Sequence, residues 1–307
     1  MTYKGFKKYN NRYLHSWFFT IALFLISSSQ IYSVNPSENV REAVNALYEF
    51  RFLDADSIIT SLEIDHPNHF LSAIARSQYH WWRIISQKDS PILRKNYLES
   101  LEIAEKKILE HFNKLNPSNE HVFYLINIYA FRARLDLLNH NYIKALGHLR
   151  KSLDYIKVSL NKENEYNHFL LTSGLYNYTI GYGQDKFPFL KIYSFWIPKG
   201  DVLQGIKLLE KAARGNDELI KTEANYFLMK IYLEMENNLS LALPYAKWLV
   251  DKYPDNIIYV YHYYKIAAGL HHHTTSQTIK NDFDNLIDNN QQLSNEQVKH
   301  LKELLSN

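Results

Sequence analysis

The sequence predicts an all-α chain whose helices pair antiparallel into a right-handed solenoid. Three observations lead there. Gly 9 and Pro 8 are few in 307 residues while Tyr 24 and Phe 16 are many, which favours long helices over a turn-rich sandwich. No run alternates apolar and polar residues over strand length beside hairpin signals, so essentially no sheet is expected. One phrase also recurs. Residues 50–68 read FRFLDADSIITSLEIDHPN and residues 237–255 read NNLSLALPYAKWLVDKYPD, with Ala55 and Pro67 spaced as Ala242 and Pro254 are.

The chain opens with Lys4, Lys7, Lys8 and Arg12 and no acid in its first 33 residues. The apolar run Trp17–Ile26 follows, then the polar SSSQ and Ser33. A basic start, a short apolar core and small residues make an export signal over 1–33. An uncleaved anchor is the competing reading, because the polar lead-in is long and the junction is not Ala-x-Ala. The run itself is short of the roughly 20 residues a span needs. Loss of the segment lowers Lys+Arg from 35 to 31 against 32 acids, so the net charge moves from +3 to −1. A near-neutral domain has no global attraction for phosphate backbones, so nucleic acid is not an expected partner. With no cysteine, the chain has no disulfide, thiolate zinc site, cysteine nucleophile or lipidated cysteine.

From 34 to 274 the pattern reads as helix pairs: 38–50 with 52–65, 69–87 with 91–114, 119–139 with 142–160, 164–182 with 201–214, and 217–236 with 239–252. A helix over 256–270 completes the repeat domain. Weaker capping helices over 276–289 and 295–305 belong to a C-terminal cap, 275–307. Ser294 followed by Gln297 is a capping-box signature for the last helix. The polar stretch NDFDNLIDNNQQ reads as loosely packed. Further copies of the phrase place small residues at Ala145 and Gly205, and more loosely at Ala104. A small side chain lets two helices approach, large apolar residues at helical spacing fill the space beside it, and proline ends the second helix.

These residues resemble the tetratricopeptide-repeat family, a helix–turn–helix unit of about 34 residues with a small residue early in its second helix and a closing proline. Ala55, Ala145, Gly205 and Ala242 match the small position and Pro67 and Pro254 the close, with partial first-helix matches at Ala43 and Ala133. The likeness covers roughly 38–256. It departs in spacing, with small positions at 55, 104, 145, 205 and 242, and in lacking the first-helix tryptophan and glycine. The resemblance implies a stack whose first helices line a concave surface for a peptide or protein. At the places where family members hold a peptide carboxylate stand Val40 and Val44, Ala130 and Arg134, and Phe227 and Ile231. They do not form a carboxylate clamp. An apolar groove with scattered charge remains, suited to a helix or an extended hydrophobic peptide.

The segment 174–201, GLYNYTIGYGQDKFPFLKIYSFWIPKGD, interrupts the rhythm with an aromatic-rich insertion at 184–200. Gly174, Gly181 and Gly183 open it, and GYGQDK lacks the rest of a phosphate-loop pattern. Its aromatics Tyr178, Tyr182, Phe187, Phe189, Tyr193 and Trp196 read either as a lip over the groove, as a wedge on a membrane surface, or as filler for an irregular repeat. Trp81 and Trp82 sit side by side on one helix, where core packing of both is favoured. Arg76, His80 and Arg83 share a face that could hold an anion but reads first as a solvated stripe. His271–His273 cannot readily chelate one ion from consecutive helical positions. No HExxH, GxSxG or Walker A motif occurs, and acid pairs such as Asp54/Asp56 point to different faces.

The functional expectation is a non-enzymatic scaffold or adaptor, exported to the periplasm or cell envelope, without cofactor or metal. Trp81, Trp82, Arg134, Tyr178, Tyr182, Phe187, Phe189, Tyr193, Trp196, Phe227 and Ile231 are its candidate binding residues. Membrane contact would run through 17–26, if retained, and through 187–196. The alternatives are a membrane-anchored structural component of an envelope complex, and a small-ligand receptor or helical-array enzyme with a pocket under 184–200.

Overall fold

A computed structural model describes residues 36–88, 90–186 and 197–305. The expected export signal 1–33 and the aromatics Phe187, Phe189, Tyr193 and Trp196 lie outside the described residues. Among those described there are 13 α-helices and no strand. They are α1 (Pro36–Tyr48), α2 (Phe52–Asp65), α3 (Phe70–Ser86), α4 (Pro91–Glu110), α5 (Asn119–Leu138), α6 (Tyr142–Ser159), α7 (Phe169–Lys186), α8 (Val202–Ala213), α9 (Glu218–Lys230), α10 (Leu239–Lys252), α11 (Ile257–Gly269), α12 (His273–Asn289) and α13 (Asn295–Glu303). None is long and apolar enough to cross a membrane.

The helix starts are set by side chains that accept from otherwise unpartnered amides. Asp201 accepts from Gln204 N at 2.9 Å, Asn238 from Leu241 N at 3.1 Å and Asn256 from Tyr259 N at 3.0 Å. Ser294 and Gln297 form the capping box their spacing predicts. Helix α9 departs from the expected unbroken 217–236. Its last turn, Ile231–Met235, widens to a π-helix, with Glu236 N bonding to Ile231 O at 2.9 Å. Beside this turn, Tyr232 stacks on Tyr245 of α10 at 5.9 Å between ring centroids.

Every small residue of the repeated phrase is buried: Ala55, Ala104, Ala145, Gly205 and Ala242, with Ala43 and Ala133 in first helices. Glycine is required at Gly205, where a Cβ would stand 2.4 Å from Tyr178 N. A Cβ on Gly181 would come within 2.8 Å of Val202 N, and one on Gly174 within 2.8 Å of Leu209. Gly174 and Gly181, which look anomalous in the sequence, are therefore part of the contact between α7 and α8. Helix α7 also runs to Lys186, beyond the expected end at 182.

The core forms two apolar clusters. The smaller joins Val122 and Phe123 of α5 to α7, α8 and α9. The larger joins α1–α5 to α10–α13, so the first and last described helices share one core. Phe283, Ile287 and Leu301 are fully buried, contrary to the loosely packed cap expected there. A set of amides fastens the join. Gln292 Oε1 accepts from Leu53 N and Asp54 N at 3.0 and 3.3 Å, capping α2, whose own cap residue Arg51 offers no acceptor. Asn256 donates to Tyr48 O at 2.8 Å, Asn290 to Phe50 O at 3.3 Å and Gln297 to Ser86 Oγ at 2.8 Å. Helix α1 thus packs on α3 and also on α9.

Candidate functional site

Because α1 meets both α3 and α9, side chains from α1, α3, α4, α5, α9 and α11 converge on a shared interior. Arg134 of α5 enters it half-buried. Its guanidinium carbon lies 3.4 Å from the ring centroid of Trp81 and 4.8 Å from that of Phe131. One nitrogen donates to Tyr97 Oη at 3.3 Å, and Tyr97 in turn donates to Phe131 O at 3.2 Å. Nε is buried without a partner, and no carboxylate among the described residues pairs with the group. A half-buried cation is costly to leave unpaired, and stacking on aromatic faces offsets only part of that cost, ~0.5–2 kcal/mol.

On the other wall, Glu223 of α9 accepts from Tyr48 Oη at 2.5 Å. Burial raises its carboxyl above the ordinary range, against the Tyr48 hydrogen bond and the nearby Arg134 charge, which lower it. The Arg134 charge is also felt at the Tyr97 and Tyr226 hydroxyls, both held above their ordinary range by burial. Tyr226 packs against Tyr259 at 5.8 Å, Phe227 at 5.9 Å and His262 at 6.3 Å. His262 is buried, its Nδ1 is unpartnered, and burial pushes it down to about 3, so it stays neutral. Among the described residues the interior thus offers a guanidinium with an unpartnered Nε, a carboxyl held by a phenol, and aromatic walls.

The structure distributes the candidate binding residues unevenly. Trp81 and Arg134 are half-buried around the interior, and Phe227, half-buried on the smaller apolar cluster, borders it through its contact with Tyr226. The two tryptophans differ, although core packing of both is favoured by sequence. Trp82 is core, 5.8 Å from Tyr48 and 5.9 Å from Phe50, while Trp81 forms the floor beneath Arg134. Tyr178 is buried with its hydroxyl on Glu236 at 2.6 Å, and Ile231 is buried, so neither is available to a ligand. Tyr182 is half-buried and donates to Met235 O at 3.1 Å. Val40 and Val44 are buried as well, which removes them from any groove lining. Arg76 is held by Asp56 and Glu63, spanning α2 and α3, rather than standing open to an anion.

Sequence reasoning missed Glu223 and Tyr226. An acid three residues before a tyrosine, beside the buried Ala224 and Asn225, was the available signal. Two cavities lie away from this interior. One of 610 Å³ is lined by His168, Lys207, Lys211, Arg214 and Asp217, beside the start of α7. In it, Asp217 receives His168 Nε2 at 3.2 Å and Arg41 at 3.3 Å while capping α9. The other, of 830 Å³, is lined by Glu49, Arg51, Asp255 and Asp282 with the amides of 289–292. Among the described residues no three His, Asp or Glu converge as metal ligands. No protein-family model matches the chain, and no curated protein or solved structure matches it either.

Proposed function

We propose that the chain is a divergent tetratricopeptide-like array, exported to the periplasm or cell envelope, that works by binding and not by catalysis. A carboxylate-bearing segment of a peptide or protein enters the interior, pairs with Arg134, and is flanked by Trp81, Phe131, Tyr226 and Phe227. The observation that carries this reading is Arg134 itself, over the Trp81 ring and near Phe131, with Nε unpartnered and no carboxylate in ion-pair contact among the described residues. Guanidinium groups bind carboxylates in bidentate fashion, and aromatic walls strengthen the contact by excluding water. The test is retention of a mixed peptide pool on the immobilised chain, beside the same pool with every carboxyl converted to an amide. Retention of the acidic pool alone, lost in Arg134→Gln, is expected. Equal retention of both pools, or retention unaffected by Arg134→Gln, overturns the proposal.

The buried Nε of Arg134 favours one further reading, a receptor for a small carboxylate. Retention of short organic acids in preference to peptides would select it. Fractionation of tagged protein, with the mass of its mature N-terminus, separates a released adaptor from an envelope-anchored component.

A further inference from the structure

The first half of helix α6 turns its large residues outward, while Leu153, Tyr155, Ile156 and Val158 of its second half pack inward. Four residues after the small position of the phrase, Ile59, Ile108, Leu209 and Ala246 are all 0% exposed, whereas Leu149 of α6 is 37% exposed. Ile143 is 88% exposed and Leu146 65%. What α6 buries is Ala145, Ser152, Ile156 and Ser159. At the adjoining end of α5, Leu137 and Leu138 are also exposed. A Cβ added to Gly147 would meet nothing within 4 Å, so no described part of the chain covers this side.

The charges follow the same division. Lys144, Arg150 and Lys151 are exposed, and no acid occurs between Asp136 and Asp154. Asp136 itself is turned to His148 Nε2 at 3.4 Å. Successive helical residues advance about 100°, so Ile143, Leu146 and Leu149 span one exposed arc. Arg150 falls within that arc, between Leu146 and Ile143, and Gly147, Lys151 and Lys144 continue it round toward the packed face. An aliphatic ridge bordered by cations is what a helix lying in a lipid headgroup layer presents. A protein interface would instead favour aromatic anchors and few lysines, and the outer face of α6 is aliphatic and basic.

We infer that α6 and the end of α5 dock on an anionic lipid surface. Leu138, Ile143 and Leu146 reach the acyl boundary, and Lys144, Arg150 and Lys151 meet lipid phosphates. This surface is separate from the Arg134 interior and does not depend on it. Flotation of the full chain with vesicles of phosphatidylcholine, alone or with a third of phosphatidylglycerol, tests the inference. Binding to the anionic vesicles is expected. It should fall about tenfold or more in Ile143→Ser/Leu146→Ser and in Lys144→Gln/Arg150→Gln/Lys151→Gln. Unchanged thermal midpoints in both variants, whose altered side chains face solvent, confirm that the fold is intact. Undiminished vesicle binding in both variants overturns the inference, as does equal binding to neutral vesicles. A dimer in solution that Ile143→Ser/Leu146→Ser converts to monomer overturns it too, by assigning the ridge to a second copy.

Discussion

Helices α6 and α8 carry the same phrase and use it differently. Both bury its small residue, Ala145 in one and Gly205 in the other. Four residues on, Leu209 is sealed beneath its neighbours while Leu149 stands partly in water. Helix α8 is pressed on α7 through glycines and is then covered by α9. Helix α6 packs closely on α5, meets α7 only sparsely, and has nothing against Gly147. The small residue therefore decides where two helices touch, but a large residue is buried only when a later helix arrives to cover it.

The largest expected effect separates those two leucines. Leu209→Ala should destabilise by about 2–5 kcal/mol, the range for emptying a packed core site, while Leu149→Ala should change stability by less than about 0.5 kcal/mol. Denaturant titration of the pair checks it, and equal losses would erase the distinction. Next comes overpacking at the small position. Gly205→Leu forces α7 and α8 apart and should cost about 1–3 kcal/mol or more, as should Ala242→Trp in the last pair. If thermal denaturation shows no change for Ala242→Trp, the repeat register is wrong.

A smaller effect tests the join between the chain's ends. Gln292→Ala removes the acceptor that caps α2 and should cost about 1 kcal/mol. Hydrogen exchange should quicken at Leu53 and Asp54 first. The smallest effect concerns acid. The hydrogen bond from His168 holds the Asp217 carboxyl well below its ordinary value, aided by the Ile220 amide and Arg41 and opposed by burial. A depressed carboxylate contributes stability above its unfolded pKa and loses it as pH falls toward the folded value. Thermal midpoints followed down from about pH 6 to about pH 3 should therefore fall less steeply in Asp217→Asn than in the parent chain.

Much of the fold was legible because it is local. The Ala55-to-Pro67 interval and the Ser294 capping box each sit within one helix or one turn, where spacing alone dictates the arrangement. The join between the ends was not legible. Gln292 and Asp54 are 238 positions apart, and no periodicity relates an amide to the helix it caps. The polarity of NNQQ suggested a loose tail because the amides' partners are backbone groups that the sequence does not reveal. The candidate site divides in the same way. Arg134 and Phe227 could be named from the repeat frame, but Glu223 became part of the site only through α1, whose Tyr48 reaches it across the join. Tyr178 and Ile231 were misplaced because aromatic and aliphatic residues look alike to sequence whether they line a surface or fill the core.

The most direct measurement places a photoreactive residue at Phe131 or Phe227 in the cells that make the protein, with captured species identified by mass spectrometry. A discrete protein partner captured from both interior positions, absent when Arg134 is replaced by Gln, is the predicted result. Capture that persists unchanged in Arg134→Gln, or that arises only from the outer face of α6, would contradict a binding role for the interior.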